Sequence, residues 1–235
     1  AKTGLLTTKG FRDTLEIGRE SRYDIYDLDL RLPEPLVPSE RRLEVEERVS
    51  AEGGVLVDLD EAEATRTIQE LVERQGVEAL AICLINSIVF PDFERRLAEI
   101  GQRLFPDLAI SISHDVSGEI REYERTSTTV VDAYVKPMVR RYVGRMSDGL
   151  RDQGLTPRMA MMLSHGGIGS AVEVANSFPV RMIESGPAAG AMAAAYFART
   201  ALEAPNAIAF DMGGTTAKMS VIQGGEPAIT NAFEV

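Results

Sequence analysis

Six residues in a row, Asp211-Met212-Gly213-Gly214-Thr215-Thr216, have the composition of a phosphate-binding turn. Apolar stretches flank them: Ala207-Ile208-Ala209-Phe210-Asp211-Met212 reads as one strand and Ala217-Lys218-Met219-Ser220-Val221-Ile222 as the next. Two glycines let the backbone turn sharply and approach a phosphate without a Cβ clash. Successive N–H groups in such a turn form an anion-binding concavity. The hydroxyls of Thr215 and Thr216 add donors, and Asp211 at the strand end suits Mg²⁺ held through water, or an attacking water. The plain alternative is a hairpin with a Gly-Gly turn.

Two further motifs share this small-residue character. In Glu184-Ser185-Gly186-Pro187-Ala188-Ala189-Gly190, Ser185 is placed to cap a helix whose first turn contains Pro187. A helix start is an anion site, and Ser185, Gly186 and Gly190 permit close approach of a ligand or of a neighbouring strand. In Leu163-Ser164-His165-Gly166-Gly167, the Gly166-Gly167 pair follows the apolar strand Met159–Met162, where open α/β sheets place ligands. His165 beside it is a candidate catalytic group, against a plain structural role. His114, the other histidine, is too far away in sequence for metal-ligand spacing.

The elements that must position these residues follow from periodicity and punctuation. Thr7 to Gly18 reads as a short helix, Pro33, Pro35 and Pro38 as an extended stretch, and Leu43 to Val49 as a half-exposed strand. Asp60 and Glu63 form a capping box for a helix with Ile68, Leu71 and Val72 on its apolar face, closed by Gly76. Val77 to Val89 reads as a strand buried on both faces. A helix from Pro91 turns Leu97, Ile100 and Leu104 inward, and Leu108–Ser113 is the next strand. Strand–helix–strand order predicts an α/β layer architecture with parallel strands. A long helix over Arg125 to Gln153 carries Val131, Val135, Met138, Tyr142, Met146 and Leu150 as a core stripe, with Pro137 kinking or dividing it. Arg121 to Thr129 reads as its solvated start. A shift towards Gly, Ala, Ser and Met after Gly154-Leu155-Thr156-Pro157 sets two expected domains, 1–154 and 155–235.

Bulk properties exclude several function classes. With 44% apolar and 26% charged residues in 235, the chain has the make-up of a soluble globular protein with a sizeable core. A net charge of −11 argues against nucleic acid and anionic membrane surfaces. A nucleotide would therefore be held by local N–H groups and a metal ion, against the global field. The single cysteine, Cys83, lies in an apolar run and reads as a buried structural thiol in a reducing compartment. No apolar run reaches the roughly 20 residues of a membrane span, so a cytoplasmic location is expected. Both ends read as cuts within a longer polypeptide.

Together the motifs resemble the hydantoinase A/5-oxoprolinase family. The resemblance rests on Thr7-Thr8-Lys9-Gly10-Phe11-Arg12-Asp13, Glu16-Ile17-Gly18-Arg19, Glu122-Tyr123-Glu124-Arg125-Thr126-Ser127-Thr128, Ser164-His165-Gly166-Gly167, Ser185-Gly186-Pro187-Ala188-Ala189-Gly190 and Asp211–Thr216, in that order. It implies an actin-like ATPase fold of two ribonuclease-H-like domains, with ATP and Mg²⁺ in the cleft between them. It also implies a cyclic amide substrate, of the 5-oxoproline or hydantoin kind, activated by phosphorylation, and a second hydantoinase-type subunit or domain as partner. Acetone and acetophenone carboxylases are similar and give a carboxylase subunit as the alternative; a non-catalytic fragment packing against partner subunits is a third. In the implied site Asp211 serves metal or water, Gly213 to Thr216 hold phosphate, and Ser185 to Gly190 line the cleft. Two departures stand out. The family's first Asp-x-Gly-Gly-Thr loop, expected upstream of Thr7, is absent, so the piece is expected to be inactive alone. Lys218 stands where many members carry an acid; it can meet a phosphate or a substrate carboxylate but cannot ligate a metal.

Overall fold

The computed structural model describes residues 1–19, 26, 27, 29, 33–156, 158–214 and 217–229. They pack as two compact units, Ala1–Gly144 with Ala175–Val180, and Arg145–Val174 with Arg181–Val235.

The first unit is built on four strands, β1 (Thr3–Thr8), β2 (Arg42–Val45), β5 (Ala79–Cys83) and β6 (Ala109–Ile112), in the order β2-β1-β5-β6. All neighbours in it are parallel. A short hairpin, β3 (Arg48–Val49) with β4 (Val55–Val57), stands apart from this sheet. Helices α1 (Thr14–Ile17), α2 (Glu61–Gln69, continued by a π turn over Glu70–Arg74), α3 (Asp92–Leu104), α4 (Ser113–Val116) and α5 (Glu122–Asp152), with a short 3-10 turn over Ser39–Arg41, complete the described elements up to Asp152. The β5–α3–β6 crossover is the parallel unit that the sequence predicts. β1 departs from expectation: Thr7 and Thr8 end a strand in which all six residues are buried, and helix forms only over Thr14–Ile17. Its threonines are tolerated inside because Thr7 Oγ1 donates to the Cys83 carbonyl (2.8 Å) and Thr8 Oγ1 to Glu47. The expected strand over Leu43–Val49 is two strands, β2 and β3, in different sheets.

Alternation along β1 and β5 sends side chains to two buried layers. Leu6, Leu80 and Ile82 join Ile68 and Leu71 of the α2 segment and Phe93, Leu97 and Ile100 of α3. On the other layer Leu5, Ala79, Ala81, Cys83 and Ala109 meet Val130 and Ala133 of α5. Alanines on that face let α5 lie close to the sheet. Asp60 caps α2 by accepting from the Ala62 and Glu63 amides (2.9 and 3.0 Å). The capping box stays half-made, because the Glu63 carboxylate accepts from the Glu46 amide instead.

α5 contradicts its sequence reading. Met138 and Tyr142 are exposed, and Val131, Val135, Met146 and Leu150 are only half-buried. The buried face carries Arg125, Thr126, Thr129, Asp132 and Lys136 with Val130, Ala133 and Val143. Neither is its start solvated: Arg125 is 1% exposed and donates to the carbonyls of Leu84 (2.9 Å), Ile120 (3.1 Å) and Glu119 (3.2 Å). Pro137 sits inside a helix that runs unbroken across it. Asp132 and Lys136, one turn apart, form a buried ion pair at 3.2 Å. Asp132 also accepts from Ser111 Oγ (2.7 Å) and the Val180 amide (2.9 Å), while Lys136 Nζ donates to the Ile110 and Ser177 carbonyls (3.0 and 3.3 Å). This pair fastens segment 175–180 within the first unit. Burial pulls the Lys136 ammonium below its ordinary value, with Asp132 opposing.

In the second unit the hairpin β7 (Ala160–Met162) with β8 (Ile168–Ser170) precedes α6 (Ala171–Ser177), whose residues from Ala175 onward belong to the first unit. Helix α7 (Ser185–Thr200) then leads into an antiparallel sheet of β9 (Ala207–Met212), β10 (Ala217–Gln223) and β11 (Glu226–Pro227), ordered β11-β10-β9. Ala191, Ala195 and Ala198 of α7 are buried, while Ile208, Phe210, Met212, Met219 and Val221 are exposed. Among the described residues, no helix is long and apolar enough to cross a membrane.

Two consequences can be measured. Lys136→Met leaves Asp132 buried without its counter-charge, and chemical denaturation should show a loss of about 3–5 kcal/mol, part of it recovered in Lys136→Met/Asp132→Asn. Burial also lifts the Glu94 carboxyl above the ordinary carboxylate range, against the bonds it accepts from Ser113 Oγ and the His114 and Leu84 amides. The folded state then holds this proton more tightly than the unfolded chain. Its contribution is fully present below the unfolded value and is lost as pH rises through the folded one. The difference in unfolding free energy between wild type and Glu94→Gln, followed from acid to neutral pH, should fall with that sign.

Candidate functional site

The register of β9 against β10 decides which side chains can meet. Asp211 pairs directly with Lys218, Ala209 with Ser220 and Ala207 with Ile222. Strand alternation puts these six on one face and the exposed Ile208, Phe210, Met212, Met219 and Val221 on the other. Helix α7 lies on the Asp211 face: a Cβ built on Gly190 would stand 3.5 Å from Asp211 Oδ2. The start of α7 therefore sits beside the end of the hairpin that carries Asp211 and Lys218.

Between them opens a cleft of about 320 Å³, at the small end of ligand sites. Asp211, Gly213 and Lys218 line it from the hairpin, and Met182, Glu184, Ser185, Gly186 and Pro187 from the approach to α7. Lys218 Nζ donates to Glu184 Oε2 in an ion pair. Glu184 holds a left-handed backbone (φ 60°, ψ 18°) at the residue before α7. Ser185 is the first helical residue rather than the cap, and no side chain caps this helix, so the expected Ser185 cap is absent.

Of the described candidate residues, five line this cleft and the others do not. Asp211, Gly213, Lys218, Ser185 and Gly186 share the cleft, with Gly190 one turn further along α7 and Gly214 next in sequence to Gly213. Thr215 and Thr216 lie outside the described residues. His165, Gly166 and Gly167 occupy the turn joining β7 to β8 and are not among the residues lining the cleft. That turn belongs to an antiparallel hairpin rather than to the end of a parallel strand, which removes the geometric reason for a ligand there. His165 is exposed and bent back over Gly167, where a Cβ would stand 2.7 Å from its Nε2. Sequence reasoning misses Glu184; the acidic residue immediately before Ser-Gly-Pro is the local signal that could have found it, whereas the missing side-chain cap is seen only in the structure.

Magnesium needs few protein ligands when it arrives with phosphates, keeping waters and taking one or two carboxylates. Among the described residues no group of three or more acidic, His or Cys side chains gathers for a metal. Asp211, exposed at the cleft, fits the smaller requirement.

Residues 1–105 match the hydantoinase/oxoprolinase N-terminal region, and residues 125–235 match the hydantoinase/oxoprolinase family model. The chain belongs to the hydantoinase/oxoprolinase family. It is 42% identical over its whole length to an uncharacterized protein of Methanocaldococcus jannaschii, covering 34% of that protein. It is 34% identical to the alpha subunit of caprolactamase from Pseudomonas jessenii, over 95% of this chain and 32% of the subunit. The crystal structure of that ATP-dependent caprolactamase superposes with a TM-score of 0.83, over 94% of this chain and 32% of that one. Nucleotide-free acetone carboxylase, from work on ATP-dependent acetone carboxylation, matches with the same TM-score of 0.83 at 27% identity, over 96% of this chain and 33% of that one. This family member thus spans about a third of the length of these relatives, and shares their mixed α/β fold with its parallel sheet.

The turn at Gly166 offers a stability test. Its φ is +84°, and the Met192 side chain lies 3.4 Å from where a Cβ would stand. The positive φ makes Gly166→Ala unfavourable by about 1–2 kcal/mol, read as a lowered unfolding midpoint.

Proposed function

We propose that this chain is part of the ATP-binding subunit of an enzyme that opens a cyclic amide of the N-methylhydantoin or 5-oxoproline type. One observation carries the reading: Asp211, Gly213, Lys218 and the start of α7 converge on one cleft, in a chain similar to an ATP-dependent caprolactamase. The arrangement proposed is that of an actin-like ATPase with ribonuclease-H-like domains, in which the Asp211–Thr216 turn is one phosphate loop.

The chemistry asked of it is phosphoryl transfer to a poor electrophile. The amide oxygen attacks the γ-phosphorus, and the bond from that phosphorus to the bridging oxygen of ADP breaks as ADP leaves. Water then adds to the activated carbon, and the ring C–N bond breaks with the nitrogen taking a proton and leaving as the amine. A second water hydrolyses the resulting acyl phosphate to carboxylate and phosphate. Magnesium, when bound, neutralises charge on the β- and γ-phosphates. Asp211 holds it through water or orients the attacking water. The Gly213 and Gly214 backbone, with Thr215 and Thr216, receives phosphate oxygens. Ser185 and Gly186 close the opposite wall, and Lys218 supplies a compact positive charge. A second subunit or domain completes the catalytic assembly.

The equal superposition on acetone carboxylase favours a second reading, an ATP-dependent carboxylase subunit that phosphorylates bicarbonate or an enolate. The two are separated by the co-substrate that stimulates ADP release from the full-length protein with its partner: a hydantoin or 5-oxoproline for the first, a ketone with bicarbonate for the second. Asp211→Ala should weaken Mg–ATP binding in calorimetry and lower turnover by about a hundredfold or more. Unchanged affinity and turnover would remove Asp211 from the site.

A further inference from the structure

The cleft contains a charge pattern that phosphate binding alone does not call for. Lys218, the cation facing the Asp211 turn, is already engaged by Glu184. Their side chains are 34% and 33% exposed, so water and ligand can reach both. Glu184 adopts its left-handed backbone without being glycine, a strained conformation for a residue with a side chain. A carboxylate just before a helix usually accepts from the free N–H groups there. Glu184 makes no such bond and is turned to Lys218 instead. Asp211, Glu184 and Lys218 together leave the cleft with one net negative charge, which repels a free phosphate.

We propose that Glu184 and Lys218 form an exchangeable ion pair that makes phosphate binding depend on a divalent cation. A phosphate arriving alone must compete with Glu184 for the Lys218 ammonium and meets the charge of Asp211. A phosphate arriving with its cation brings the charge that offsets both carboxylates, and Lys218 passes from Glu184 to a phosphate oxygen. The exchange is favourable because a partly exposed ion pair is weak, and a bond from ammonium to a multiply charged phosphate is stronger. Glu184 acts here as a positioning residue, through Lys218. The proposal rests on the phosphate-binding reading of the cleft and adds to it the basis of its selectivity for metal-bound over free nucleotide.

Calorimetric titration of ATP into the full-length protein, with Mg²⁺ and separately with EDTA, tests it on wild type, Glu184→Gln, Lys218→Met and the double variant. Thermal unfolding verifies that each is folded. Glu184→Gln should tighten metal-free ATP binding about tenfold and narrow the gap between the two conditions. Lys218→Met should weaken binding in both, and the double variant should match Lys218→Met, because Glu184 works only through the lysine. An unchanged metal-free affinity in Glu184→Gln, or a double variant that keeps the gain, overturns the exchange. If Lys218→Met binds as wild type while Asp211→Ala loses Mg–ATP, the phosphate site stands and the exchange falls. If wild type binds no ATP even with Mg²⁺, the phosphate reading itself fails and takes the exchange with it.

Discussion

Charge buried on one face of a helix organises the first unit. Arg125 projects from α5 to carbonyls just after β5 and just before α5, while Asp132 and Lys136 reach Ser111 Oγ and the Ile110 carbonyl of the edge strand β6. Each charge is offset locally, Arg125 by three carbonyls and Lys136 by Asp132 and two more, so burial is tolerated. Such an arrangement is stiff in one sense: removing a single member strands its partners in a medium that cannot solvate them. It also fixes register, since Asp132 and Lys136 reach Ser111 and Ile110 of β6 together with Ser177 and Val180 of a segment far along the chain.

The second unit relies on small residues instead. Alanines bury the inner face of α7, and Gly190 of that helix lies beside Asp211. The hairpin register then puts Asp211 and Lys218 opposite each other on the covered face, with the apolar side chains of the same strands turned outward. A shift by one residue would exchange the two sets and dissolve the cleft. Function and packing are thus tied by the pleat: the same alternation that seats α7 aims the charged pair at the start of that helix.

Local signals are legible where the pattern is self-contained. The Asp60 cap, the Gly76 stop, the apolar run of β5 and the stripe of α3 each follow from residues within a few positions of one another. β1 escapes because its threonines look like a polar segment until their hydroxyls find Cys83 and Glu47, dozens of residues away. α5 misleads for the same reason in reverse. Its apolar stripe with Met138 and Tyr142 is a valid helical pattern, yet the buried side is the charged one, since burial is set by what the partner surface can satisfy.

At the candidate site the division is similar. The sequence by itself determined the phosphate-turn composition, the two strands flanking it, the small residues of α7 and membership of the family, because these depend on residue type and order along the chain. Only the tertiary structure decided that Ser185, Gly186 and Lys218 stand with Asp211 around one cleft while the His165 turn stands elsewhere. It alone brought Glu184 to Lys218, residues 34 positions apart. Strand pairing and helix docking are long-range choices, fixed by which surfaces can bury one another, and no short window of sequence contains them.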